Sequence, residues 1–318
     1  MAENRQNENS FDAPGRASSA HGSVRLAAAP LRAAIEAAVS VHAGRPWSVA
    51  RARDMSEFAC HPCAILSDGA YAVFAKFSDA ANGRAQFECE LAGLRYLCEQ
   101  AGAMIPTPIG IVPAAGGTLL IMEGLEAVPR TPQDWRAIGR ALGRIHRLKS
   151  DKCGFHANGF IGPMYQDNRP ADHWATFYGE RRLRPRLEAA IASGNLPSSL
   201  ASQVEDILRR LPELCGPEPA PSLLHGDAQQ NNFISTARGA FVIDPAVYYG
   251  NPEIDLALID CFQPAPEEVF EGYRAEMPID PGFSGRRSLW RISLYLAAVA
   301  LEGTIHLERL SAALGEYS

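Results

Sequence analysis

Residues 223–255, LLHGDAQQNNFISTARGAFVIDPAVYYGNPEID, gather the acid and amide oxygens that phosphoryl transfer needs: Asp227, Asn232 five positions later, and Asp244. Asp244 closes an apolar run, residues 240–243, that reads as a buried strand. Residues 232–236 and 240–244 are both strand-like. Between them Ala237, Arg238 and Gly239 suit a short hairpin loop with glycine in the left-handed region. A hairpin centred on Arg238 sets Asn232 opposite Asp244 to within a residue, roughly 4.5–5.5 Å apart at Cβ. Two oxygen ligands then converge, which suits a Mg²⁺ held partly by protein and partly by phosphate. Asp227, on the turn after Leu223 and Leu224, is placed to accept the proton of an attacking hydroxyl beside that metal. An acidic hairpin in an unrelated α/β protein is the plain alternative. A lone D-x4-N would favour it; the paired spacing and the long continuation do not.

The elements that must position these groups follow from the rest of the chain. Residues 1–22, rich in Asn, Ser, Gly and charge, have almost nothing to bury and are expected to be a disordered tail. A helix is expected from Pro30, with Leu31, Ile35 and Val39 on one face. Strands are expected over 57–67 and 70–77, joined by the hairpin signal Asp68-Gly69. Lys76 shares a strand face with Ala72 and Phe74, and the next helix carries Phe87, Leu91 and Leu94 on one stripe with Glu90 beside it. Pro106 and Pro108 break the chain before a strand over 118–123, and Met122-Glu123-Gly124-Leu125 reads as a connector. Beyond it the period is helical: Trp135, Ile138, Leu142 and Ile145, then Leu200, Val204, Ile207 and Leu211. The expected division is a lobe over 23–125 and a second over 126–318.

Composition limits the classes of function. With 47% hydrophobic residues and a formal charge of −6, the chain lacks the basic balance of a protein whose main partner is nucleic acid. Arg181, Arg182, Arg184 and Arg186 read as a solvated helix face. Seven scattered cysteines are expected to be reduced thiols of a cytoplasmic protein, and the single Cys60-His61-Pro62-Cys63 motif reads as ordinary burial ahead of zinc or redox chemistry. The longest late apolar run, 294–301, is far short of the ~20 residues a membrane helix needs, and no apolar leader opens the chain.

The H-G-D-x4-N run followed by Ile243-Asp244-Pro245 resembles the catalytic and metal loops of the aminoglycoside phosphotransferase and protein-kinase-like superfamily. DPAVYYGNPEIDLAL resembles the fructosamine (ketosamine) kinase family, as do F-x-x-E-x-x-G-L and residues 154–183, with Gln166, Asn168, Trp174, Phe177 and Arg182. The resemblance implies a two-lobed α+β fold, with a small N-terminal antiparallel sheet lobe and a larger, mainly helical C-terminal lobe. It implies ATP and Mg²⁺ as cofactors, Asp227 as base, Asn232 and Asp244 as magnesium ligands, and His225 as a support of the loop. Lys76 and Glu90 would be the ion pair that positions the phosphates. Glu123 and Leu125 would flank adenine through their backbone. The family's glycine-rich turn over the phosphates is replaced by Ala59-Cys60-His61-Pro62-Cys63, and residues 290–303 lack the histidines the family tends to place there.

For the acceptor, Glu253 and Asp255 offer surplus negative charge that would favour a cationic, amine-bearing sugar, with Asp255 as a brace of the following helix the alternative. Trp174 is either substrate wall or core. The expected reaction is phosphorylation of a sugar hydroxyl of a ketosamine. An aminoglycoside- or choline-type kinase, or a pseudokinase without turnover, are the competing readings.

Overall fold

The computed structural model describes residues 24–318, so the tail expected over 1–22 lies outside the described residues. Helix α1 (Leu31–Ala43) buries Leu31, Ile35 and Val39, the stripe read from the sequence. Strands β1 (Arg51–Asp54), β2 (Cys63–Ser67) and β3 (Ala72–Ser78) precede helix α2 (Gly83–Ala101), and β4 (Pro108–Ala114) and β5 (Gly117–Glu123) follow it. The five strands form one antiparallel sheet in the order β1-β2-β3-β5-β4.

Side-chain alternation assigns the two faces of that sheet. Val73, Ala75 and Phe77 of β3 pack with α1, whereas Phe74 packs with Phe87 and Leu94 of α2. Lys76, two residues after Phe74, therefore points toward α2. The β2–β3 hairpin closes at the Ser67–Ala72 pair, and the Asp68 carboxylate accepts the Ala70 and Tyr71 N–H groups at 2.9 and 2.7 Å.

Two differences from the sequence reading concern strand limits. The first strand of that hairpin starts at Cys63 and not near 57, because Ser56–Phe58 form a 3-10 turn and Pro62 brings no N–H. Strands β1 and β4 are additional. Every residue of β1 is exposed, so no alternation announces it, and Pro108 opens β4 at the sheet edge, where the missing donor is tolerated.

The second lobe begins with α3 (Pro132–His146), started by a capping box between Thr131 and Asp134. A short hairpin, β6 (Gly159–Ile161) and β7 (Met164–Gln166), leads to α4 (Trp174–Tyr178). That helix passes through a wide π turn, Gly179–Leu183, into α5 (Arg184–Ala192), followed by α6 (Ser198–Leu214). Strands β8 (Ser222–Leu224), β9 (Phe233–Thr236), β10 (Gly239–Val242) and β11 (Tyr248–Gly250) carry the acidic stretch. Helices α7 (Glu253–Leu258), α8 (Glu267–Arg274), α9 (Phe283–Glu302) and α10 (Leu307–Gly315) complete the lobe around one apolar core. The architecture is the two-lobed α+β fold expected. The arginine cluster is not a uniform solvated face: Arg182 and Arg186 turn inward and are buried with Leu183, Leu187 and Ala190. No helix among the described residues is long and apolar enough to cross a membrane.

Candidate active site

The β9–β10 hairpin pairs Thr236 with Gly239 and Phe233 with Val242, so its loop is only Ala237 and Arg238. The register therefore sets Ile243 opposite Asn232, whose carbonyl accepts the Ile243 N–H at 3.0 Å, and Asp244 comes one residue later. There the chain leaves the strand with φ of 53° at Asp244, a left-handed conformation that aspartate tolerates better than most residues.

Asp227 and Asn232 are joined directly. The Asn232 Nδ2 donates to the Asp227 carbonyl at 2.8 Å and to its carboxylate at 3.0 Å. Since both donors of that amide face Asp227, its Oδ1 faces the other way. Gln229 Nε2 donates to the second carboxylate oxygen at 2.8 Å, a contact the sequence reading did not include. His225 couples the two halves: its Nε2–H donates to the Ile243 carbonyl at 3.0 Å, which leaves Nδ1 to accept the Asp227 N–H at 3.3 Å. This is the loop support expected of it. Gly226 has φ of 82°, and a Cβ there would lie 2.0 Å from the Ala246 carbonyl oxygen, so only glycine fits.

Lys76 reaches this centre from the first lobe. Its Nζ donates to both Glu90 oxygens, at 3.0 and 3.1 Å, and to the Asp244 carboxylate. Burial opposes its charge, but the two carboxylates outweigh burial and hold its pKa above the ordinary lysine value. Glu90, buried beside it, is pushed up to about 8. Burial also raises Asp227, with Asp244 adding to the effect, whereas Lys76 overrides burial at Asp244 and holds it below the usual range. Asp227, Asn232, Asp244, Lys76 and Glu90 thus meet in one cluster.

Loop 59–62 runs over that cluster. His61 Nε2–H donates to Gln86 Oε1 at 2.9 Å and its ring lies 5.3 Å from that of Phe87. Cys60 sits beside Gly162 at the tip of the β6–β7 hairpin. Burial raises its thiol pKa, and Asp227 and Asp244 raise it further, which puts the loop within electrostatic reach of both. Cys60 and Cys63 are both free.

The connector residues are placed differently from each other. The Glu123 carboxylate is occupied, accepting from Thr107 N and Oγ1 at 3.1 Å and pairing with Arg238 at 2.5 Å. Leu125 is buried, and its N–H has no hydrogen-bond partner among the described residues.

Three expectations for acceptor contact need correction, because none of the side chains reaches an open surface. Trp174 is stacked on Phe177 and Tyr178 in the core. Glu253 is spent on Arg286, at 2.9 and 2.6 Å, and on the Trp290 indole N–H at 2.8 Å. Asp255 is fully buried and braces the loop before Asp227: it accepts the N–H groups of His225 and Gly226 at 2.7 and 3.1 Å, and His146 Nε2–H at 3.0 Å. The Tyr273 hydroxyl then donates to His146 Nδ1 at 2.9 Å. Burial holds the His146 pKa below its ordinary value despite Asp255, so the imidazole is neutral and uses one nitrogen as donor and the other as acceptor. The available signal for this brace was a histidine ending the apolar face of α3, beside Leu142 and Ile145.

Residues 31–317 match the model of the family described as fructosamine kinase. A probable ketoamine kinase of Synechocystis sp. is 30% identical over 258 residues, covering 80% of this chain and 85% of the relative. The crystal structure of a putative fructosamine-3-kinase from Thermobifida fusca superimposes with a TM-score of 0.77 at 28% identity, over 89% of this chain and 97% of the other. At the level of fold alone, an aminoglycoside phosphotransferase crystallised with ADP and hygromycin B gives a TM-score of 0.58 at 16% identity, over 89% and 96%. The chain therefore belongs to the fructosamine kinase family and is a phosphotransferase with an alcohol group as acceptor.

Proposed function

We propose that the protein transfers the γ-phosphoryl group of ATP, with Mg²⁺, to a sugar hydroxyl of a fructosamine or other ketosamine. The observation that carries the reading is the convergence of Asp227, Asn232 and Asp244 with the Lys76–Glu90 pair. The donor set fits magnesium: the Asn232 amide nitrogen is spent on Asp227, which leaves Oδ1, and Asp244 supplies a carboxylate. Asn232 Oδ1 and the Asp244 carboxylate would hold Mg²⁺, an ion that takes few protein oxygens beside substrate phosphate. When bound, magnesium supplies charge neutralisation on the phosphates.

The chain's own residues do the rest. Asp227 accepts the proton of the acceptor hydroxyl, and its raised pKa brings it nearer the working pH of a base. Its two carboxylate oxygens are aimed by Gln229 and Asn232. Lys76 holds the α- and β-phosphates as its contact with Asp244 yields, and Glu90 keeps the ammonium in place. At the connector, the unpartnered Leu125 N–H is a donor for adenine, with the Glu123 backbone beside it. Loop 59–62 lies over the phosphates without glycine, which limits the closeness of backbone approach.

A mass-spectrometric screen for ATP-dependent phosphorylation of fructosyl- and ribosyl-amines, aminoglycosides and amino alcohols tests the assignment. Phosphorylation of a ketosamine on its sugar is expected. Turnover on aminoglycosides or amino alcohols alone would sink the substrate class and keep the kinase; binding of MgATP with no turnover on any acceptor would favour a pseudokinase.

A further inference from the structure

The wide turn that joins α4 to α5 sends Arg182 and Arg186, four residues apart, into the second lobe. Their situations differ. Arg182 is consumed by the fold: its terminal nitrogens donate to the Asp167 and Arg181 carbonyls at 2.7 and 2.9 Å and to Asn168 Oδ1 at 2.5 Å. Its guanidinium also lies against the stacked rings of Tyr248 and Phe177, 4.1 and 4.7 Å from their centres.

Arg186 is only 8% exposed, yet it has a single protein hydrogen bond among the described residues, Nη1 to Ser293 Oγ of α9 at 2.9 Å. No carboxylate among the described residues pairs with it. Its remaining donors are not among the sealed, unpartnered atoms, whereas Nε of Arg182 is, so the free side of the Arg186 fork keeps a little exposed area. A buried guanidinium without an anion is unfavourable, and the usual resolution is a paired oxygen acid.

Its neighbourhood includes the strand pair that leads into the Asp227 loop. Tyr248 of β11 pairs with Leu224, the residue before His225. Burial lowers the Arg186 pKa, and the groups that counter burial are Tyr248, Tyr178 and Asp227. The negative charges once expected here, Glu253 and Asp255, are already committed to Arg286 and to the loop backbone. The local charge waiting for a partner is therefore positive.

Resting on the ketosamine reading, we infer that Arg186 is an acceptor-binding residue, whose free guanidinium edge receives the carboxylate of a glycated α-amino acid while the sugar hydroxyl lies at Asp227. Planar guanidinium and carboxylate match in a two-bond fork, and the partly dry wall between α5 and α9 strengthens it. The preferred acceptors are thus sugar adducts of amino acids ahead of sugar adducts of plain amines.

Fructosyl-glycine and fructosyl-methylamine share the sugar and the amine and differ in the carboxylate. Steady-state kinetics and calorimetric binding of both are measured on the parent, Arg186→Gln and Arg186→Lys. The parent is expected to show a roughly 10- to 100-fold lower KM for fructosyl-glycine, the contribution of a charge-assisted hydrogen bond, with similar kcat. Arg186→Gln should bring the KM ratio to near one, and Arg186→Lys should restore part of it. A parent without preference, or an unchanged ratio in Arg186→Gln, overturns the inference while phosphorylation of both adducts upholds the ketosamine reading. An equal fall in kcat on both acceptors would put the guanidinium on the phosphoryl group and also overturn it. If neither adduct binds or turns over, the ketosamine reading itself fails, and this inference with it. The parent's ratio decides the matter even if Arg186→Gln does not fold.

Discussion

Replacing Asp255 with asparagine keeps its volume and removes one acceptor. One carboxylate oxygen takes the His225 N–H and His146 Nε2–H, and the other takes the Gly226 N–H. In Asp255→Asn the amide oxygen can serve the first pair, but the amide nitrogen then faces the Gly226 N–H, donor against donor. The lost charge-assisted bond costs about 1.5–3 kcal/mol and the orphaned buried N–H about 1–3 kcal/mol, so roughly 2.5–6 kcal/mol in all. At about 2 °C per kcal/mol for a long chain, the melting temperature should fall by roughly 5–12 °C. Because the two amides belong to the residues just before Asp227, kcat should fall too, by about 100-fold if the base shifts by about 1 Å, with KM for both substrates within about threefold. Calorimetric melting and initial-rate kinetics on the same preparation read both quantities. A variant that melts within about 1 °C of the parent and shows only a raised KM for the acceptor would refute the brace and return Asp255 to the substrate side.

Asp227→Asn should lower kcat by ~10²–10⁴ while MgATP binding by calorimetry stays near the parent value, since only the chemical step loses its proton acceptor. Lys76→Ala should weaken MgATP far more than adenosine, because the ammonium meets phosphate alone; equal losses for the two ligands would remove it from the phosphate site. His146 gives a pH dependence with a defined sign. Its folded pKa lies below the unfolded value of about 6.5, so on acidification the unfolded chain takes up a proton first. The His146 contribution is fully present above about pH 6.5 and is lost as pH falls from there through the folded pKa, at no more than about 1.4 kcal/mol per pH unit. His146→Gln should flatten that part of the melting-temperature profile, and a profile parallel to the parent's would contradict a neutral buried imidazole.

The acidic hairpin was legible because a strand pair fixes geometry from spacing, and the register falls within one residue of that expected, with Ile243 facing Asn232 and Asp244 next to it. The Lys76–Glu90 pair came from the family resemblance; residue pattern alone placed Lys76 on the strand face of Phe74, which packs on α2, and a lysine there reads equally as a sheet edge or solvent face. Charged residues in the second lobe misled. Burial of a charge depends on a partner distant in sequence, and neither Arg286 for Glu253 nor the His225 backbone for Asp255 is visible from local pattern. The arginine cluster was misread because it was judged by charge alone: Arg182 and Arg186 fall on the same helical face as the buried Tyr178, Leu183, Leu187 and Ala190, and the groups that enclose them, Asn168 and Ser293, are distant in sequence. Strand β1, with every residue exposed, carries no alternation to detect.

The brace beneath the catalytic loop is built from α3, α7 and α8 through His146, Asp255 and Tyr273, whereas the Arg186–Ser293 contact belongs to α5 and α9. The two sets share no side chain. Selection can therefore exchange residues of the α5–α9 wall without disturbing the machinery that moves the phosphoryl group, and a single scaffold can diverge toward new acceptors by drift on one wall. The same separation makes that wall the place to begin a directed library: variants at Arg186 and Ser293 sample substrate range, while the chemistry is inherited unchanged.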